Sequence, residues 1–127
     1  MIRALCAGMV LMLVLLWSVW LWSETPRPSH PRRFRCVASW YGAREAGCLT
    51  ASGEVFDPLG LTAACRRLPM GTRVKVTNLG NGLRVIVRVN DRGPYARGRG
   101  IDLSYAAAYA IGMVKEGLAR VEVEVVK

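Results

Sequence analysis

Residues 84–95 read RVIVRVNDRGPY, and this stretch decides the fold. Val85, Val87 and Val89 recur at every second position, which is the period of a half-buried β-strand. The Gly-Pro pair that follows does not continue such a strand, because proline lacks an amide donor and glycine favours turns. The segment therefore predicts a strand that ends near Asp91, at the mouth of a loop.

Similar short segments surround this strand in the chain. Residues 36–41, 73–77 and 121–125 are apolar or alternate with the same period, so each predicts a further strand. One short helix is predicted over residues 105–111, with Ser104 as its N-cap and a glycine just after its end. Short strands with one or two short helices are typical of a small, mainly β barrel.

The first 35 residues differ in composition from the rest. Residues 4–22 carry no charge, and a helix of that length spans roughly 28 Å, about the thickness of a bilayer core. We therefore expect residues 1–22 to be a hydrophobic helix that serves as a signal peptide or a signal anchor. The uncleaved anchor is favoured, because no small-x-small cleavage site follows. Residues 23–35 are rich in proline and arginine, which predicts a linker before a folded domain over residues 36–127.

The chain is basic, with 18 Lys and Arg against 9 Asp and Glu and a formal net charge of +9. Such a charge suits nucleic acid, an anionic membrane surface or an anionic wall polymer. Nucleic acid is disfavoured, because no motif that reads DNA or RNA is present. No metal site or other cofactor is expected, since the only histidine, His30, lies in the linker and no Cys-x-x-Cys pair occurs.

Seven short phrases follow one another along the predicted domain: 38–42 ASWYG, 50–56 TASGEVF, 61–64 LTAA, 68–72 LPMGT, 76–79 VTNL, 90–95 NDRGPY and 100–104 GIDLS. In this order they resemble the rare lipoprotein A-like family, whose fold is a six-stranded double-psi β-barrel. The resemblance implies a monomeric protein of the bacterial cell envelope, periplasmic or otherwise outside the cytoplasm. It also implies binding to peptidoglycan glycan strands. Attachment to the membrane is expected from the apolar N-terminal segment.

The same resemblance implies an activity. Some members are endolytic peptidoglycan lytic transglycosylases, which cleave glycan strands after N-acetylmuramic acid, preferably in strands lacking stem peptides, and leave 1,6-anhydro ends. One carboxyl group can first protonate the glycosidic oxygen and then accept a proton from the sugar's own 6-hydroxyl, whereas a hydrolase needs a second carboxylate. Asp91, which matches the family's Asp-Arg-Gly-Pro motif, is the expected catalytic acid, and Glu54 is expected to assist it.

Candidate substrate-binding residues surround these two carboxylates in the motifs. Trp40 and Tyr41 offer aromatic faces for sugar rings, and only one of them can face a given cleft because strand residues alternate. Tyr95 is a second aromatic platform, and Arg92 is expected to contact carboxylates of the substrate. Ser52, in the Thr-Ala-Ser-Gly-Glu motif, completes the expected binding set.

One position departs from the family pattern. Active members commonly have Ala-Ala-His where this chain has Ala-Ala-Cys65, so a non-catalytic, expansin-like glycan-binding module is the alternative function. Of the three cysteines in the predicted domain, Cys48 and Cys65 are predicted to form a disulfide, with three free thiols as the alternative. Asp102 is expected to place a favourable charge near the helix N-terminus.

Overall fold

The computed structural model describes residues 32–126. This part of the chain holds six strands and one α-helix, α1 (Tyr105–Ala110). The strands are β1 (Arg33–Tyr41), β2 (Thr62–Ala64), β3 (Arg73–Asn78), β4 (Arg84–Asp91), β5 (Arg99–Ser104) and β6 (Ala119–Val125).

The strands form a closed barrel in the order β1-β5-β2-β4-β3-β6. The pairs β1–β5 and β2–β4 are parallel, and the other four pairs are antiparallel. The predicted six-stranded, mainly β barrel is therefore confirmed. Closure gives every strand two hydrogen-bonded neighbours, so even the three-residue strand β2 has a neighbour on each side.

The alternation in the sequence fills the barrel interior. The inward positions of β3, β4, β5 and β6 are large aliphatic residues that are almost completely buried: Val74, Val76, Val87, Val89, Ile101, Leu103, Val121 and Val123. Each such side chain contributes about 1.5–3 kcal/mol when it leaves water, so these layers are the main source of stability. The intervening residues of β3, β4 and β6 are mostly charged and face outward, as the period of two requires.

The first strand begins earlier than predicted. β1 starts at Arg33, so the end of the predicted linker belongs to the barrel. Arg33 and Arg35 form ion pairs with Glu124 and Glu122 of the adjacent strand, while Phe34 between them packs against the core. Arg33 and Arg35, at the end of the predicted linker, are therefore outward residues of an alternating strand.

The sequence pattern does not locate two of the six strands. β2 is only three residues long and contains two alanines, so it carries no periodic signal. β5 does alternate, with Ile101 and Leu103 buried, but its Gly-Ile-Asp-Leu-Ser sequence directly precedes the predicted helix, which hides the strand signal. Both strands belong to the part of the barrel that carries the candidate site, described below.

The predicted helix is present and has the expected ends. The Ser104 hydroxyl accepts a hydrogen bond from the Ala107 amide at 3.3 Å, which caps the N-terminus. The helix ends at Ala110, and Gly112 follows with a φ of +68°, a conformation that glycine adopts without strain. The predicted N-terminal hydrophobic helix lies outside the described residues. Among residues 32–126, no helix has both the length and the apolarity that a membrane crossing requires.

Candidate active site

Ala64 at the end of β2 lies between two aspartates of neighbouring strands. Its register partner on β4 is Asp91, and its partner on β5 is Asp102. Neighbouring strands are about 4.8 Å apart, so the two aspartate backbones lie within roughly 10 Å of each other. The unpredicted strand β2 is thus the element that brings the two carboxylates to one end of the barrel.

Both carboxylates line an open pocket of about 260 Å³, which we call the aspartate pocket. A loop between β1 and β2 forms one wall, and residues of β1, β2, β4 and β5 form the floor. The polar side chains that line it are those of Tyr41, Glu45, Thr50, Asp91, Arg92 and Asp102. Two expected residues, Tyr41 and Arg92, therefore share this pocket with Asp91.

Among the acidic groups of the pocket, Asp102 has the pKa that departs most from its ordinary value. Burial raises its pKa from 3.8 to about 6, and the negative charges of Glu45 and Asp91 act in the same direction. A hydrogen bond of 3.1 Å from the Ser39 hydroxyl, together with Arg99, opposes this rise. A carboxyl group with this pKa keeps a large protonated fraction in mildly acidic solution. The predicted role of Asp102 as a helix-terminal charge is wrong, because its side chain bonds to β1 and faces the pocket.

Asp91 is held differently. One of its carboxylate oxygens accepts hydrogen bonds from the Ala51 amide at 2.9 Å and from the Arg92 amide at 2.8 Å. Two amide donors on one oxygen fix the orientation of the Asp91 carboxyl group. The loop 50–54 reaches this position because the Ser52 amide also bonds to the Asn90 carbonyl at 3.1 Å. The Thr-Ala-Ser-Gly-Glu and Asp-Arg-Gly-Pro motifs therefore meet, as the sequence could not show.

The two aromatic candidates on β1 point to opposite sides. Tyr41 faces the aspartate pocket and stacks on Phe56 with ring centroids 4.4 Å apart. Its hydroxyl is buried and has no hydrogen-bond partner among the described residues. Burial, followed by the charge of Asp91, raises the pKa of Tyr41, so the phenol keeps its proton. Trp40 faces away, donates to the Val114 carbonyl at 3.3 Å and packs edge-on against Tyr105.

Glu54 and Ser52 lie on the outer side of the loop that carries them. The Glu54 carboxylate forms a two-pronged ion pair with the Arg88 guanidinium, with one contact of 2.7 Å. This hydrogen-bonded partner lowers the pKa of Glu54, so the side chain remains ionised. The Ser52 hydroxyl contacts the Thr50 hydroxyl at 2.9 Å and the Glu54 carboxylate at 3.4 Å. Neither side chain lines the aspartate pocket.

Arg92 has structural partners of its own. Its guanidinium donates to the backbone carbonyls of Cys65, at 2.8 Å, and Leu68, so it holds the turn that follows β2. Tyr95 is 75% exposed at the rim, and the Arg66 guanidinium lies 5.7 Å from its ring centroid. Arg92 therefore shapes the floor of the pocket, and Tyr95 offers a free aromatic face outside it.

The predicted Cys48–Cys65 disulfide is not formed in the structure, where Cys36, Cys48 and Cys65 are all free thiols. Cys48 is exposed on the loop that lines the pocket, whereas Cys65 is completely buried in the barrel core. The prediction failed because Ala64 and Cys65 are adjacent residues that face opposite sides, and it is Ala64 that lines the pocket.

Comparison with known proteins identifies the class. A family model described as "Lytic transglycolase" matches residues 33–123, and the chain belongs to this family. The match runs from the start of β1 to Val123 in β6, in agreement with the double-psi β-barrel that the sequence motifs implied.

Curated relatives give a narrower comparison. The chain is 56% identical over 89 residues to the "Endolytic peptidoglycan transglycosylase RlpA" of Vibrio cholerae serotype O1. The aligned region covers 70% of this chain and 34% of that protein. The chain is also 55% identical over 95 residues to the protein of the same name from Pseudomonas aeruginosa. That aligned region covers 73% of this chain and 28% of the other protein. The chain thus spans about a quarter to a third of the length of these relatives.

Solved structures with little sequence similarity share the fold. A Streptomyces papain inhibitor aligns with a TM-score of 0.61 at 21% identity, over 82% of this chain and all of that one. A Clavibacter michiganensis expansin in complex with cellohexaose aligns with a TM-score of 0.61 at 18% identity, over 75% of this chain and 50% of that one. At these identities the likeness concerns the barrel alone.

Proposed function

We propose that this chain is an endolytic peptidoglycan lytic transglycosylase of the bacterial cell envelope. It cleaves glycan strands, preferably strands without stem peptides, after N-acetylmuramic acid and forms 1,6-anhydro ends. The observation that carries the proposal is the pairing of two unlike carboxyl groups, Asp91 and Asp102, in one open pocket. The names of the curated relatives support the substrate and the reaction. The chain acts as a monomer and is held at the membrane by its N-terminal segment.

The first step requires a proton for the glycosidic oxygen. Asp102 is suited to give it, because its pKa of about 6 leaves a protonated fraction near neutral pH. As the proton moves to the leaving oxygen, the C1–O bond breaks and positive charge develops on the sugar ring. The Asp91 carboxylate, fixed by two amide donors, lies on the same pocket wall and stabilises that charge.

The second step returns the proton. The ionised Asp102 accepts the proton of the sugar's 6-hydroxyl while that oxygen bonds to C1, which forms the anhydro ring without addition of water. The same carboxyl group therefore gives and recovers one proton, and the protein ends in its starting state. The Tyr41 phenol, which is buried without a partner and keeps its proton, donates a hydrogen bond to a sugar oxygen in the pocket.

A second function is favoured by one specific observation. The position at which active relatives of the family carry histidine is Cys65, whose side chain is buried in the core. A barrel that lacks this imidazole retains the pocket and Tyr95, so it is able to bind a glycan strand without cutting it. The two functions predict different outcomes with the same substrate.

The test is incubation of the full chain, in detergent, with sacculi whose stem peptides an amidase has removed. Mass spectrometry of the released material should reveal fragments that end in anhydro-muramic acid. Fragments that carry one added water instead would identify a hydrolase. Co-sedimentation with sacculi and no released fragments would identify the binding module.

Three variants locate the chemistry. Asp102→Asn and Asp91→Asn should each abolish release while the chain still sediments with sacculi. Glu116→Gln is the matched control, because Glu116 is an exposed carboxylate outside the aspartate pocket. Full activity of Asp102→Asn would remove this residue from the mechanism.

A further inference from the structure

Arg66 lies on a turn that is fastened to the end of β4. The Cys65 amide donates to the Asp91 carbonyl at 3.1 Å, which ties the start of the turn to the strand that carries the proposed carboxylate. The Arg92 guanidinium donates to the carbonyls of Cys65 and Leu68, at the two ends of the turn. Cys65 and Leu68 are buried, whereas Arg66 between them is exposed. The turn is therefore a fixed base that holds a guanidinium in solvent beside the aspartate pocket.

The Arg66 guanidinium is oriented by an aromatic ring of the neighbouring loop. Its Cζ atom lies 5.7 Å from the centroid of the Tyr95 ring, a distance at which a cation and a π face attract each other. The ring in turn lies beside Gly93, where an added Cβ atom would be 3.7 Å from it. Within residues 32–126, no carboxylate forms an ion pair with Arg66. Its N–H donors therefore remain available to an anion from outside the protein.

The aspartate pocket and its rim carry opposite charges. Three carboxyl groups line the pocket, and they belong to Glu45, Asp91 and Asp102. Exposed basic residues follow on the adjoining turn and loop: Arg66, Arg97 and Arg99. An anionic substituent of a bound glycan is therefore repelled from the pocket and attracted to the rim.

We infer that Arg66, oriented by Tyr95, binds the free lactyl carboxylate of N-acetylmuramic acid and so selects strands without stem peptides, an inference that rests on the proposed function. A guanidinium matches the two oxygens of a carboxylate with paired N–H donors. In a strand that bears stem peptides, the same carboxyl carbon belongs to an amide and carries no negative charge. Arg66 is therefore a specificity-determining residue, and Tyr95 is its positioning residue.

The test compares two forms of one glycan preparation. Sacculi freed of stem peptides by an amidase carry lactyl carboxylates, and treatment of a portion with a carbodiimide and ammonia turns these groups into uncharged amides. The full chain, in detergent, is incubated with each form, and kcat and apparent KM are measured from the released anhydro-muramic fragments. We expect a KM about three- to tenfold lower for the charged form, with kcat unchanged. The difference should shrink at about 0.5 M salt, because salt screens exposed charges.

Matched variants assign the preference to one side chain. Arg66→Gln should raise the KM for the charged form to that for the amidated form and leave the latter unchanged. Arg67→Gln is the control, because it removes the same charge one residue along, where the guanidinium lies 4.9 Å from the centroid of the Phe34 ring of β1. This control should keep the preference. Tyr95→Phe should keep it as well, whereas Tyr95→Leu should weaken it, since only the ring holds the guanidinium.

The outcomes separate this inference from the proposed function. Equal KM values for the two forms with the original chain, a preference that survives Arg66→Gln, or an equal loss in Arg67→Gln would each overturn the inference. Anhydro-muramic fragments are still released in all three cases, so the proposed cleavage would stand. If the original chain releases no fragments from either form, the cleavage fails. Co-sedimentation then measures the same preference as a ratio of affinities, with the same variants deciding it.

Discussion

The Ser39 hydroxyl donates a hydrogen bond of 3.1 Å to the Asp102 carboxyl group across the parallel pair β1–β5, where the two residues are register partners. Ser39 is buried, so this bond fixes the direction of the carboxyl group without exposing it to water. The bond stabilises the ionised form, yet burial outweighs it and the pKa of Asp102 stays at about 6. The register of two strands therefore sets both the position and the acidity of the proposed proton donor.

The pH dependence of glycan cleavage should report this acidity. A proton donor must be protonated, so activity should fall as the pH rises through about 6, tenfold for each further unit. The measurement is kcat/KM for release of anhydro-muramic fragments between pH 4.5 and 8.5. Ser39→Ala removes the bond that favours the ionised form, so its profile should move toward higher pH. A profile that stays flat up to pH 8 would contradict the assignment.

The free energy of unfolding should respond to the same group. The pKa of Asp102 is about 6 in the folded protein and 3.8 without the fold, so the folded state binds the proton more tightly. Ionisation above pH 6 therefore costs stability, and the cost disappears as the pH falls to about 4. Asp102→Asn should be more stable than the original chain by ~1 kcal/mol at pH 8, allowing for partial exposure. Denaturant unfolding at pH 8 and pH 4 checks this, and an equal difference at both values would contradict it.

Tyr41→Phe should separate activity from stability. The Tyr41 hydroxyl is buried without a partner among the described residues, so its removal should leave stability unchanged or raise it by about 1 kcal/mol. Loss of its hydrogen bond to the substrate should lower the cleavage rate by roughly ten- to a hundredfold. Thermal unfolding and the sacculus assay measure the two effects. The matched control is Tyr109→Phe, at an exposed ring on the helix, and it should change neither.

Arg92→Gln should destabilise the domain. The Arg92 guanidinium satisfies the carbonyls of Cys65 and Leu68, and their loss of a donor should cost about 1–3 kcal/mol. Arg97→Gln removes the same charge from an exposed position of the neighbouring loop and should leave the free energy of unfolding unchanged. Equal unfolding curves for the two variants would show that Arg92 acts only through its charge.

Glu54 and Arg88 should behave as one unit. Both side chains are exposed, so neither Glu54→Gln nor Arg88→Gln should move the thermal midpoint by a measurable amount. If Glu54 acts on the glycan only through its ion pair, each variant should lower cleavage less than tenfold, and the double variant should match the single ones. A far larger loss for Glu54→Gln alone would restore it as a catalytic residue.

The strands that the sequence predicts are those in which packing enforces a period of two. β3, β4 and β6 place valines inward and charges outward over six or more residues, so their pattern is visible without the fold. β2 has three residues and is held by its neighbours β4 and β5, so its existence depends on contacts between distant parts of the chain. The start of β1 was obscured because its outward arginines and the linker share one composition.

The site was only partly predictable for a related reason. The motifs name Asp91 and Tyr41, and the structure places both in the aspartate pocket. The sequence alone predicts Asp102 to be a helix-terminal charge, because its proximity to Asp91 exists only once Ala64 lies between them. The apolar residues Ile101 and Leu103 flank Asp102 with the period of a strand, and this pattern is the signal that indicates β5. A strand here places the Asp102 side chain on the face opposite to the core. Spacing along the chain says nothing about Glu54 and Arg88, whose pairing arises from the fold of a loop.

The position of β1 has a mechanical consequence. This strand is hydrogen-bonded to β6 through residues 33–38 and to β5 through residues 37–41. Traction on the chain ahead of Arg33 would act along the strand axis and shear the row of hydrogen bonds to β6 as a whole, instead of unzipping them one by one. Single-molecule stretching from this end can measure the force that this row withstands.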